Sequence, residues 1–244
     1  MNQKTSARQR SRERLEERER VILDAAARAF ASAGFHATTT RQIASTAGVS
    51  EGTVFHYFGS KNDLMLAILD GFYAEVLNPK ASQILDTVMG TRERLRALAL
   101  HHMRSLASDN ALMMCLLQVY AGVDLEFREH GGESPLRKLN RHYVSHLDRI
   151  LREGMERREL RADLDLRPLR DLFFGTLEYG VRTHLHHHGE RGLDAYVDRL
   201  LEPIWRSLQT PASGQEPEDA LTRLESAAER LESAAARLQE RDRT

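Results

Sequence analysis

Apolar side chains recur along this chain at intervals of three and four, and nowhere in a sustained alternation, so the pattern predicts helices from end to end. Expected spans are 41–47, 51–57, 60–77, 80–88, 91–108, 110–127, 134–158, 166–187, 193–209 and 217–240. Asn78-Pro79, Thr91, Ser108-Asp109-Asn110, Gly131-Gly132 and Arg167-Pro168 mark joints between them. Leu169, Leu172, Phe173, Thr176, Leu177 and Gly180 make one 3-4 stripe, with small residues that let two helices approach. Leu193, Val197, Leu200, Leu201, Ile204, Trp205 and Leu208 make another. Residues 209–217 (QTPASGQEP) read as a linker by composition. Beyond it Leu221, Leu224, Ala228, Leu231, Ala235 and Leu238 alternate spacings of three and four, a heptad seam too short to hold as an isolated helix.

Residues 38–61 (TTTRQIASTAGVSEGTVFHYFGSK) carry the most chemistry. Thr39 or Thr40 caps a short helix, Ile43, Ala44 and Ala47 form its apolar side, and Gly48 suits the left-handed position that ends it. Ser50 caps a second short helix in which Val54 and Phe58 face inward. Gly52, Thr53, His56 and Tyr57 are left on the outer side. Gly59 breaks the chain again, and Ser60 caps a helix opening with Lys61, where a helix N-terminus and a cation together suit a phosphate. Two short helices across a tight turn are the layout in which a second helix enters the DNA major groove.

That run, with Ile43, Ala44, Ala47, Gly48, Val49, Ser50, Gly52, Thr53, Tyr57, Phe58, Ser60, Lys61 and Leu64 in order, resembles the DNA-binding domain of the tetracycline-repressor-like (TetR) family. The stretch Ile22–Ala26 through Phe30–Phe35 is similar to that family's first helix. The resemblance covers roughly residues 18–70. It implies that Thr40 and Arg41 touch phosphate or a groove edge and that Glu51, Gly52, Thr53, Phe55 and His56 line the reading face. Tyr57 and Lys61 would clamp the DNA backbone. Two residues depart from the family pattern. Glu51 replaces a basic or neutral side chain and can accept from a cytosine amino group; Phe55 lacks the hydroxyl of the usual tyrosine. The resemblance also implies an all-α fold, with an N-terminal three-helix helix-turn-helix domain and a helical ligand-binding and dimerisation domain. The family's paired helices would fall at 166–187 and 193–209.

The chain has 244 residues, 41% of them hydrophobic, and can bury one large or two modest cores. Its formal net charge is -1, so any basic surface must be local. Lys4, Arg8, Arg10 and Arg12 read as a basic arm able to add salt-dependent affinity for DNA. Glu13 to Arg20 instead read as a helix start with Glu–Arg pairs. No apolar run is long enough to span a bilayer, the N-terminus is unlike a signal peptide, and Cys115 is the single cysteine, which together point to a cytoplasmic protein. The motifs of hydrolases, nucleotide-binding loops and zinc proteases are missing, so no enzyme, cofactor or catalytic residue is expected. Cys115 reads as a packing residue.

The expected organisation is a flexible basic arm at 1–17, the reading domain at 18–65, a ligand and dimerisation domain at 66–209, a linker at 210–218 and a heptad helix at 219–240. Expected partners are a double-stranded DNA operator, a second copy of the chain and a small-molecule effector, with no membrane. Met113, Met114, Gln118, Tyr143, Phe173, Phe174 and Tyr179 are candidate effector contacts, because Met-rich and aromatic walls make adaptable apolar pockets. The segments 139–155 and 173–178 resemble family members that sense fatty acyl-CoA thioesters, for which Arg137, Lys138 and Arg141 would supply the basic mouth. The pair His184 and His188, sharing a helix face, is an alternative metal-responsive site, although no Cys or carboxylate set completes it.

Overall fold

The computed structural model describes residues 2–108, 135–189 and 191–209. The helices expected at 110–127 and 217–240, the linker between 209 and 218, and candidate contacts Met113, Met114 and Gln118 lie outside the described residues. Within the described residues every regular element is helical. They are α1 (Asn2–Ala33), α2 (Thr40–Ala47), α3 (Glu51–Phe58), α4 (Lys61–Gly71), a π-helical turn (Phe72–Leu77), α5 (Asn78–Thr87), α6 (Thr91–Ser108), α7 (Pro135–Glu156), α8 (Leu166–His188) and α9 (Leu193–Leu208).

Two expectations about joints change. The segment expected as a flexible arm continues α1 as helix from Asn2. Nearer the head the helix carries the expected Glu–Arg pairing, Glu17 with Arg20 at 2.7 Å. The chain also does not break at Asn78-Pro79. Proline lacks the N–H for an ordinary turn and its ring collides with the carbonyl four residues back. The backbone instead widens before it: the Asn78 N–H bonds to the Tyr73 carbonyl, five residues back, and Pro79 sits in the first turn of α5. As a result α4 runs on through the π turn into α5 as one bent rod.

A single apolar core threads the molecule. It begins with Ile22, Ala26 and Phe30 of α1, takes in Ile43, Val54, Phe58, Leu64 and Met65, and continues through Leu77 and Leu85 to Leu98, Met103, Tyr143, Leu147 and Leu177. Ion pairs fasten the outer helices of the body. Arg92 reaches Glu202 and Arg104 reaches Asp194, zipping α6 to α9. Asp148 of α7, only 5% exposed, holds Arg170 of α8 through both carboxylate oxygens and also meets Arg152. Glycines set two crossings. A Cβ at Gly154 would lie 2.8 Å from Thr91 and one at Gly180 would lie 2.8 Å from Leu200, so α7 meets α6 and α8 meets α9 at these points. Gly180, expected on a stripe whose small residues let two helices approach, admits Leu200 of α9 in this way.

Candidate nucleic-acid interface and effector chamber

Local hydrogen bonding fixes the reading head. Thr39 and Gln42 form a reciprocal capping box at the start of α2. At its end Gly48 takes φ 67°, and its own N–H and that of Val49 cap the Ser45 and Ala44 carbonyls. Ser50 then accepts from the Thr53 N–H at 3.1 Å and opens α3. Val54 and Phe58 are buried, so α3 can turn only one face outward: Gly52, His56 and the 46%-exposed Phe55, with Thr53 and Tyr57 half-buried at its edges. The Phe55 ring is thus no part of the core, and thymine methyls are the major-groove groups that suit such a ring. Arg41 is exposed beside it.

Glu51 and Thr40 are brought together rather than set out separately. The Thr40 hydroxyl donates to the Glu51 carboxylate at 2.6 Å, and Arg41 stands 3.8 Å from its second oxygen. This brace between the starts of α2 and α3 partly offsets an acid in a place meant for phosphate. Lys61 departs from the expected backbone clamp. Its ammonium donates to the carbonyls of Phe35 at 2.8 Å, Thr38 at 2.9 Å and His36 at 3.4 Å, and lies 4.5 Å from the centre of the Phe35 ring. A lysine has three N–H donors, and here all three point at the α1–α2 loop. Lys61 is a staple within the head.

In the body, three of the candidate effector contacts, Tyr143, Phe173 and Phe174, pack against one another. Tyr143 is 1% exposed and packs at 5.6 Å from Phe174, which in turn meets Phe173 edge-on at 5.2 Å. The sequence reading missed three partners. His102 of α6 stacks on Tyr143 at 5.6 Å, His146 follows Tyr143 on α7, and Tyr73 of the π turn packs edge-on against Tyr143 at 6.0 Å. A signal for His102 was present: it falls on the stripe Leu95, Leu98, Ala99, Leu106 that buries α6. Burial drives the His102 pKa from 6.5 down to about 3, so the ring is neutral at ordinary pH, and burial raises the Tyr143 phenol well above its usual range. His146 is also lowered, by burial and then by His142 and Arg149.

Tyr179 does not join this cluster. It stands 63% exposed on the outer face of α8 under the Arg182 guanidinium. Arg137, Lys138 and Arg141 lie exposed along the first half of α7. On the other side of Phe173, a cavity of about 310 Å³ opens between α6, α8 and α9, floored by Leu95, Leu201, Ile204 and Trp205. At its rim Arg92 pairs with Glu202 and Arg96 with Asp198.

The histidine pair reads differently in three dimensions. His184 is 4% exposed, stacks on Tyr196 at 4.6 Å and meets the Arg191 carbonyl through Nε2 at 2.9 Å. One of its two possible ligating atoms is thus taken. Among the described residues no group of three or more His, Cys, Asp or Glu side chains is placed to hold a metal ion. No helix among them is long and apolar enough to cross a membrane.

Two family models match successive parts of the chain. A family model described as "Bacterial regulatory proteins, tetR family" matches residues 22–68, and one described as "YsiA-like protein, C-terminal region" matches residues 74–204. The fatty acid metabolism regulator protein of Bacillus subtilis (strain 168) is 28% identical over 181 residues, 74% of this chain and 90% of that protein. The transcriptional repressor KstR2 of Mycobacterium tuberculosis (strain ATCC 25618 / H37Rv) is 29% identical over 150 residues, covering 62% and 74%. Among solved structures, FadR from Bacillus subtilis in complex with stearoyl-CoA superposes with a TM-score of 0.63 at 26% identity, covering 78% of this chain and 98% of that one.

Proposed function

Because this chain belongs to the TetR family of bacterial regulatory proteins and carries a YsiA-like C-terminal region, we propose that it is a homodimeric repressor that leaves its operator when a long-chain fatty acyl-CoA enters the body. As a family member it is a helix-turn-helix DNA-binding transcriptional regulator, not an enzyme. The observation that carries the effector reading is one of continuity. The aromatic centre formed by His102, Tyr143 and Phe174 touches Tyr73, and Tyr73 belongs to the turn that extends α4 out of the reading head. A ligand in that centre pushes on the helix whose far end is stapled to the head. The solved relative with stearoyl-CoA supports the choice of ligand class.

A twofold operator requires a twofold protein. On α8, Leu172 is 45% and Tyr179 63% exposed, with Gly175 between them; on α9, Ala195 and Pro203 are exposed beside half-buried Leu200. These are small and apolar residues on two adjacent helices, the surface a four-helix interface uses. Arg41, Gly52, Thr53, Phe55, His56 and Tyr57 supply the DNA contacts, with Thr40 and Glu51 bracing them.

Release is a population shift, so acyl-CoA must bind the DNA-incompetent arrangement more tightly than the competent one. A hundredfold drop in operator affinity requires a coupling of about 2.7 kcal/mol, within the range common for such regulators. The test is fluorescence anisotropy of the purified protein on DNA from upstream of its own gene, titrated with stearoyl-CoA. Salt-sensitive binding that stearoyl-CoA reverses is expected. Binding that survives saturating stearoyl-CoA overturns the effector, and a failure to bind DNA at low salt overturns the operator reading.

A further inference from the structure

Three buried side chains at the centre of the body present polar atoms that no hydrogen bond from the described residues satisfies. Both ring nitrogens of His102, the Tyr143 hydroxyl and Nε2 of His146 have no partner among the described residues. Their residues are 5%, 1% and 8% exposed. Buried polar atoms are almost always paired, and each one left alone is destabilising by roughly 1–3 kcal/mol. Four in one cluster amount to a site awaiting a polar guest. If packing were their only purpose, His102, Tyr143 and His146 could be replaced by apolar side chains such as the neighbouring Phe173 and Phe174.

The chemistry of the guest follows from what the cluster offers. A neutral imidazole presents one N–H donor and one acceptor, and a protonated phenol can donate. Two donors on rings stacked at 5.6 Å suit a single oxygen with two lone pairs. A carboxylate there would bring a full charge into an aromatic interior, which is far more costly than a neutral carbonyl. We infer that His102 and Tyr143 form the polar anchor of the effector chamber and bind the neutral carbonyl oxygen of an acyl thioester, leaving the acyl chain against Phe173 and Phe174. This rests on the acyl-CoA reading above and names the atom by which the protein recognises the acyl group. The coenzyme then points along α7 toward solvent. Lys138 and Arg137 lie five and six residues before Tyr143, about 7–9 Å along the helix, within reach of phosphates at the end of a pantetheine arm.

The decisive probe is a thioether. S-octadecyl-CoA carries the same nucleotide, arm and chain length as stearoyl-CoA and lacks only the carbonyl. Calorimetric binding to the full chain should favour stearoyl-CoA by about tenfold, the worth of one or two neutral hydrogen bonds. Tyr143→Phe and His102→Phe should each reduce that preference to within about twofold while leaving S-octadecyl-CoA affinity nearly unchanged. Thermal melts of the free variants establish that they fold. Because Tyr143→Phe deletes only an unsatisfied hydroxyl, it should melt no lower than the parent. Equal affinity of the parent for both compounds overturns the anchor and leaves the acyl-CoA reading standing. Binding of neither compound overturns both. Stearate binding as tightly as stearoyl-CoA overturns the choice of a neutral carbonyl over a carboxylate.

Discussion

Lys61→Met separates a staple from a phosphate clamp. Methionine keeps the stem packed against Phe35 and removes the ammonium. The Phe35 and Thr38 carbonyls each lose a charge-assisted bond, at 2.8 and 2.9 Å, and the ring loses its cation at 4.5 Å. Such hydrogen bonds contribute about 1.5–3 kcal/mol each when fully enclosed. Lys61 is half-buried, so water replaces part of this, and a net loss of about 2 kcal/mol is expected. Urea unfolding at fixed protein concentration measures it. The distinguishing assay is the salt dependence of DNA binding. A lysine on phosphate contributes about 0.9 to the slope of log K against log salt. Because the Lys61 ammonium is already occupied, the variant should bind DNA more weakly at every salt concentration with an unchanged slope. A slope shallower by about 0.9 per protomer, with unchanged stability, would refute the reasoning and restore Lys61 to the phosphate.

Arg170→Ala should lower stability by roughly 2–3 kcal/mol in urea unfolding at neutral pH, because it strands the buried Asp148 carboxylate with only the more exposed Arg152. Stability should also fall on acidification through His102. Its folded pKa, about 3, lies below the unfolded 6.5, so between these values the unfolded chain binds the extra proton, and stability present above 6.5 is lost as pH drops. From pH 7 to 5 this amounts to about 2 kcal/mol, a loss absent from His102→Phe; parallel curves for parent and variant would contradict the burial argument. Tyr179→Glu places a charge on the outer face of α8 and should convert the dimer to monomers in sedimentation without lowering helix content. A dimer unmoved by it would shift the proposed interface elsewhere.

The head was legible in the sequence because its instructions are local. Thr39 with Gln42, Gly48, Ser50 and Ser60 each act within four residues, and the structure puts all of them at the caps their types predict. The fate of Lys61 was not, because its acceptors are 23–26 residues away and are backbone carbonyls, which no side-chain pattern announces. The π turn was hidden for a related reason. Asn78-Pro79 signals an obstacle, and whether the chain breaks or widens depends on what the continued helix can bury, here Leu77 and Ala81. In the body, aromatic character rather than spacing singled out Tyr143, Phe173 and Phe174, and the structure packs the three rings together. Tyr179, singled out on the same ground, lies beside Gly180, the small residue at the margin of the α8 stripe. Gly180 faces Leu200 and Tyr179 faces out, a distinction set by where α9 crosses.

Placing the lysine inside the head changes what α4 can transmit. A helix that merely ended near the DNA could slide beneath the head without turning it. Here the ammonium at one end of α4 grips three carbonyls of the loop between α1 and α2, so a displacement of that end carries the loop with it. The other end continues without interruption into the π turn and Tyr73, about 18 Å away at 1.5 Å per residue. Helix shifts of about 1–2 Å are common in such transitions, and reading heads set for successive major grooves tolerate little more. The lysine is therefore expected to matter twice: for the stability of the head and for its obedience to the body. In Lys61→Met the ratio of DNA affinities without and with stearoyl-CoA should shrink, because the released arrangement of α4 no longer imposes itself on α2 and α3. A ratio equal to that of the parent would show that the signal reaches the head by another route, through the packing of α4 on α1.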